Sequence, residues 1–356
     1  MHRLNRYVNR TVMAAMLLVL AVLVGLDVLG ALIEETGSLS GDYGFAEAAR
    51  YVALSVPGNL FSFLPFAALV GVLAGLGLLA GSSELVVMRS AGVSVLRLVW
   101  MALKPALVLA LVGLLIAEYV APNAQQIADS ARARALQQDR QLSRHGLWHR
   151  EGHQFMHFNA VEPNGVLYGV TIYVFDEDDS RHLSAVTQAR RASYQQGFWL
   201  LEDVRETRLF ADHTTSSQRG NQVWNVQLTP ELLNILALDP DDLSISGLYR
   251  YGSYLIGQGL RSGEYRLAFW NKLLQPLAVV SLVLVAASMV FGSTRQTTMG
   301  YRIFLGVIIG IVFRTSQDML GPASLVYGFQ PLYAALAPIA ASALVGLLLL
   351  HRAARV

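Results

Sequence analysis

The sequence predicts an α+β membrane protein in which three spanning helices, an extracytoplasmic β domain and three further spanning helices follow one another. Three observations carry this. Six apolar runs are each long enough to cross about 30 Å of hydrocarbon as a helix. The stretch between the third and fourth runs changes to the two-residue period of half-buried strands. Arginine concentrates in alternate short loops. Composition agrees, with 54% hydrophobic and 15% charged residues among 356, a balance typical of integral membrane chains.

The runs fall near 11–33, 58–80, 99–120, 268–291, 302–320 and 331–350. The first follows a basic start and has the outline of a signal peptide. Its apolar core exceeds the usual 7–15 residues, and a short acidic loop then a second span follow it, so it is read as a retained helix. In the second run Ala67, Gly71, Gly75 and Gly77 permit close backbone approach. Packing inside one bundle is the plainer use of that stripe, and a subunit contact the alternative. Arg3, Arg6 and Arg10 precede the first run, Arg89 and Arg97 follow the second, Arg295 and Arg302 follow the fourth, and Arg352 and Arg355 close the chain. The loop 33–57 instead carries Glu34, Glu35, Asp42 and Glu47 against Arg50 alone. Both termini are therefore expected in the cytoplasm. Trp100 and Trp270 lie at expected membrane boundaries, as interfacial aromatics should.

Residues 81–97 are too polar to cross a bilayer and too regular for a turn. Ser83 is a plausible cap, Glu84 lies at the positive end of a short helix, and Gly92 permits the bend into the third span. Glu84 and Met88 share a face, flanked by Arg89. Such a helix can rest on lipid headgroups or fill a groove on a cytoplasmic motor.

Three parts result: 1–120 with the cytoplasmic N-terminus, spans 1–3 and the short helix near 83–91; 121–265 as the β insert; and 266–356 with spans 4–6 and a cytoplasmic C-terminus. The insert opens on a polar helix, NAQQIADSARARALQQDRQ, and continues in strand-like segments separated by Gly, Asp, Asn and Pro turns. Short strands without helical crossovers favour a sandwich, a jelly roll or a half-open form of either. A return helix within LDPDDLSISGLYRYGSYLIGQGLRSGEYRLAFWNK leads back to the fourth span.

The chemistry is sparse. Cysteine is absent, and there is no phosphate loop of the Gly-x-x-x-x-Gly-Lys-Ser/Thr type, no His-Glu-x-x-His and no Gly-x-Ser-x-Gly elbow. No lysine or arginine block resembles a nucleic-acid surface. His145, His149, His153 and His157 recur every fourth residue but bracket Gly146 and Gly152 and interleave with Phe155 and Phe158, so strand or turn placement is expected and no metal site is assigned. Phe155, Phe158, Tyr173 and Phe175 are weak candidates for an apolar path through the β domain, against the plainer role of core filling. Membrane-embedded ionisable groups are few. Asp27 and Arg314 are each placed about six residues, or roughly 9 Å, inside the outer end of a span. At that depth each should face protein, water or a lipid head. Glu118 and Asp318 are read as interfacial.

The stretches LNRYVNRT at 4–11, SELVVMRSAG at 83–92, LDPDDLSISGL at 238–248 and GPASLVYGFQP at 321–331 resemble, in this order, the YjgP/YjgQ (LptF/LptG) family of lipopolysaccharide-export permeases. The last two favour one branch over its paralogous partner LptF. The resemblance implies six transmembrane helices (3+3) with a periplasmic β-jellyroll-like domain between helices 3 and 4, in a Gram-negative inner membrane. It implies a non-catalytic permease subunit of an ABC exporter for lipopolysaccharide. LptF, two copies of the ATPase LptB, LptC and, through the jelly-roll bridge, LptA would be its partners. It implies no cofactor in this chain, ATP and Mg being bound by LptB, and no nucleic acid. Glu84, Met88 and Arg89 fall in its coupling helix. Asp27, Arg314, Glu34 and Glu35 fall at its lateral gate or lipid-head region, where the acidic Glu34 and Glu35 depart from the basic residues associated with the family. A transporter or assembly factor for another envelope lipid, and a non-transporting scaffold, are the alternatives.

Overall fold

A computed structural model of the chain describes residues 2–39, 43–137, 147–162, 165–176, 182–195, 197–210, 212–226, 228–230, 233, 239–257, 262–292 and 298–354. His145, Arg295 and residues 138–141 of the predicted polar helix lie outside them. Six helices are long and apolar enough to cross a membrane, and the insert is a six-stranded antiparallel sheet, so the chain is a multi-pass α+β membrane protein.

Every predicted span is present and longer than its apolar run. Helix α1 is His2–Thr36, α2 Phe45–Gly81, α3 Glu84–Ser90 and α4 Val95–Leu115. The third span does not stop at α4. It passes through a π-helical turn at Ile116–Val120 directly into α5, Ala121–Gln137, so the polar helix of the insert prolongs the span. The return segment is a 3₁₀ turn at Pro240–Asp242 followed by α6, Ile245–Gly257, and α7, Gly263–Phe291. Helices α8, Met299–Tyr327, and α9, Pro331–Ala354, complete the bundle.

The glycine stripe of α2 is used inside the chain. A Cβ on Gly71 would lie 2.5 Å from the Cα of Met16, and one on Gly75 2.9 Å from that of Val12, so α1 and α2 touch backbone to backbone. Val8, Val12 and Met16 are fully buried in that seam and join the main core of α2, α4 and α7.

The sheet comprises β1 Leu147–Glu151, β2 Gln154–Glu162, β3 Val166–Phe175, β4 Leu183–Gln195, β5 Phe198–Leu209 and β6 Thr214–Trp224. Each strand pairs with its sequence neighbour. The sheet nevertheless rolls on itself, because Trp224 at the end of β6 packs on Phe158 of β2 at 6.4 Å and donates from Nε1 to Gln154 Oε1 at 3.4 Å. This is a half-open roll around one core of Met156, Phe158, Val170, Ile172, Trp199 and Leu201, with the Trp199 indole N–H satisfied by the Leu228 carbonyl at 2.7 Å.

A crease crosses the sheet. Across it the buried positions step by three instead of two, from Leu167 to Val170 on β3, from Ala189 to Ala192 on β4 and from Leu201 to Val204 on β5. Gly169 (φ 61°) and Asp203 (φ 57°) occupy the crease in the left-handed region, which turns the pleat over so that one side of the roll remains apolar on both sides of the line.

Candidate functional site

Between α1, α2, α7 and α8, toward the end that carries the β insert, lies a cavity of about 660 Å³. Its wall is mixed. Phe61, Phe66, Leu282 and Phe313 supply apolar surface, while Asn59, Asp241, Asp242, Lys272, Gln275 and Arg314 bring polar groups to it. Pro57 and Pro65 interrupt the hydrogen-bond ladder of α2 along this wall, and Gln275 of α7 donates to the Phe61 carbonyl.

The polar groups are held from outside the cavity. Lys272 Nζ donates to the Leu243 carbonyl at 2.6 Å, fixing the 3₁₀ turn against α7. Glu118, read as interfacial from sequence, accepts from the backbone N–H of Ile245 at 2.8 Å and of Ser246 at 3.4 Å. It thereby caps α6 from the π turn of the third span, an arrangement that supplies the unpaired N–H groups of a helix start with a carboxylate. The Asp242 carboxyl is pushed up to about 6, first by burial and then by the neighbouring Asp129.

Asp27 and Arg314 do not meet. Asp27 accepts from Asn59 Nδ2 at 2.7 Å, and Arg314 pairs with Asp318 one turn along α8 at 3.1 Å. Along their helices Asp27 lies nine residues before Thr36 and Arg314 thirteen before Tyr327, about 14 and 20 Å from the helix ends. Arg314 and Asn59 still open onto one cavity.

Glu34 and Glu35 separate sharply. Glu34 is exposed, whereas Glu35 is 6% exposed, accepts from Arg132 Nε at 2.6 Å and from Tyr43 Oη at 2.7 Å. Glu35 thus fastens the α1–α2 connection to α5 and is not presented to a lipid head. Burial and the Glu35 contact push the Tyr43 phenol up to about 12.

On the opposite, arginine-rich side, α3 follows Ser83, which has φ 61° and makes no side-chain cap. Ser82 Oγ donates to Glu84 instead, at 2.9 Å. Met88, expected on the contact face, is 7% exposed and joins Leu85 in the main core. The outward face of α3 is carried by Val86 and Val87, each 65% exposed, with Glu84 partly open and Arg89 exposed.

The four aromatic candidates of the β domain fall on two faces. Phe158 is fully buried in the roll. Phe155 and Tyr173 are paired on the other face, where Phe155 meets Phe175 at 5.3 Å and Arg150 lies over its ring. His149 and His157 are likewise on opposite faces, and no cluster able to hold a metal exists among the described residues. The residues that sequence reasoning missed are Asn59, Lys272, Asp241, Asp242 and Gln275. Single polar residues within apolar runs were the available signal for Asn59, Lys272 and Gln275, and the run of three acids in LDPDD for the other two.

Comparison with known proteins is consistent along the whole chain. Residues 6–352 match the family model described as lipopolysaccharide export system permease LptF/LptG. The chain is 38% identical over 354 residues to the lipopolysaccharide export system permease protein LptG of Escherichia coli K12, covering 98% of each chain. It is 35% identical over 339 residues to the protein of the same name in Haemophilus influenzae, covering 94% of each.

Proposed function

The chain belongs to the LptF/LptG family of lipopolysaccharide export permeases, and from that premise we propose that it is the transmembrane permease subunit of an ABC exporter that extracts lipopolysaccharide from the inner membrane and passes it toward the outer membrane. The observation that carries the reading is the full-length match to proteins named for this function. The cavity agrees with it, having an apolar wall for acyl chains and Lys272 and Arg314 among its polar lining for phosphorylated sugar.

Extraction removes apolar surface from a bilayer at about 0.8 kcal/mol per CH₂, so repeated export needs an energy source. This chain has no phosphate loop, and ATP with Mg is assigned to two copies of a partner ATPase, LptB. Its contact is α3, where Val86 and Val87 present apolar surface and Glu84 and Arg89 charge. LptF supplies the second half of the cavity, and LptC associates with the pair. Both termini are cytoplasmic, in keeping with the arginine distribution. The half-open roll is periplasmic. Strands β1 and β6 have no further strand beside them among the described residues, and an unpaired edge can continue a sheet into the next jelly roll, here LptA.

Reconstitution with these partners in proteoliposomes tests the reading. ATP should drive lipopolysaccharide out of the bilayer, and Glu84→Arg should weaken ATPase association or disconnect ATP turnover from release. Full export by Glu84→Arg would remove α3 from the motor contact.

A further inference from the structure

At the arginine-rich end of the helical body, α1 and α4 line a second cleft of about 520 Å³. Its walls follow from helical spacing. Arg6, Arg10 and Met13 lie at i, i+4 and i+7 on α1 and face Lys104 and Val108, one turn apart on α4. With its amide turned to donate, Asn9 reaches the Met101 carbonyl at 2.7 Å and fixes the two helices at this level.

Three cations therefore converge, and among the described residues none of them has a carboxylate partner. Lys104 is one turn beyond the exposed Trp100, which places it about 6 Å deeper than that interfacial ring. A lysine at such a depth needs an anion or must bend back to water. Beyond the cations the cleft continues onto exposed apolar surface, with Leu17 and Leu18 on α1 and Leu111 and Val112 on α4. A soluble phosphate would satisfy the charges and leave that surface unused. An anionic amphiphile matches both.

We propose that this cleft binds one anionic phospholipid of the leaflet facing the N-terminus, with Arg6, Arg10 and Lys104 holding its phosphodiester and an acyl chain lying along Met13 and Val108. Basic pockets between spans at the cytoplasmic surface have this chemistry. The assignment rests on the cytoplasmic N-terminus proposed above, and the lipid concerned is distinct from the exported one.

The test is native mass spectrometry of the intact transporter complex released from nanodiscs of phosphatidylcholine with or without phosphatidylglycerol. Wild type should retain a phosphatidylglycerol that the Arg6→Gln, Arg10→Gln, Lys104→Gln variant retains about tenfold less well, while the charge-keeping Arg6→Lys, Arg10→Lys, Lys104→Arg variant holds it. Excess inorganic phosphate should not displace it; displacement would overturn the acyl-chain half of the assignment. Equal retention by the triple glutamine variant would overturn the site. Where that variant does not assemble, a photocrosslinker at Val108 in otherwise unchanged protein decides. Adducts with phosphatidylglycerol are the expected result, and adducts with a partner protein would reject it. Retention is read without ATP or lipopolysaccharide, so a failure of export leaves this result standing and the reverse also holds.

Discussion

At the scale of the residue, adjacent carboxylates have opposite fates. Glu35 sits between Arg132 and Tyr43 while Glu34 faces out. Glu35→Gln should cost about 1–3 kcal/mol, since it leaves Arg132 and Tyr43 with a neutral acceptor. Glu34→Gln should stay within about 0.5 kcal/mol of wild type. Thermal melting of the purified protein distinguishes them, and equal effects would contradict the burial difference. A double-mutant cycle on Arg314 should show coupling of about 0.3–0.5 kcal/mol with Asp318 and none with Asp27. Asp242 makes stability depend on pH. Its folded value of about 6 lies above the unfolded value of about 3.9, so the folded state binds the proton more tightly. That contribution is full below about pH 4 and is lost as pH rises through about 6. The melting temperature of wild type relative to Asp242→Asn should fall across that window, and a constant difference would exclude the linkage. Charge and run length made the spans and α3 legible in sequence. They could not separate Glu34 from Glu35, because Arg132, the cation that pairs with Glu35, lies 97 residues away.

At the scale of the element, sequence located each span and set the ends of α1, α8 and α9 short. Hydropathy marks the part of a helix that touches lipid, whereas the backbone ladder continues through polar flanks, here even past Pro122 and Pro322. Hence α4 runs on through Glu118 into α5, and α8 reaches Tyr327 at Gly328, whose φ is 75°. The sheet shows a second limit. The four aromatics named from sequence do not share a face, because parity within β2 puts 155 and 158 on opposite faces and the crease at Gly169 breaks parity along β3. Gly169 was the visible sign of it, as an isolated glycine within a strand pattern. A Cβ there would meet the Asn159 side chain at 2.2 Å, so Gly169→Val should open the roll and lower its melting temperature. The α1–α2 seam should be as strict. Gly71→Val drives side-chain atoms into the Met16 backbone, with an expected loss of about 1–3 kcal/mol or more, read as loss of thermal stability or of assembled complex.

At the scale of the whole molecule, the order of three spans, β insert and three spans was fully legible, because it depends on composition and period. The cavity was not. It is built from isolated polar residues on α2, α7 and the 3₁₀ turn, brought together only by packing. The attachment of the roll is also a tertiary fact: His149 of β1 stacks on Tyr254 of α6 at 6.3 Å, and burial lowers the His149 pKa. The roll's apolar cluster draws its residues from 156–233, and the main helical cluster draws none from that range. Cooperativity in unfolding follows shared buried contacts, so heat should dissolve this chain in two events, seen as separate calorimetric peaks. Such a protein has two melting points, and a substitution that ruins one unit leaves the other's largely in place. Biosynthesis inherits the same division: the roll can reach its final form in water on its own timetable, without waiting for the last three helices to be inserted.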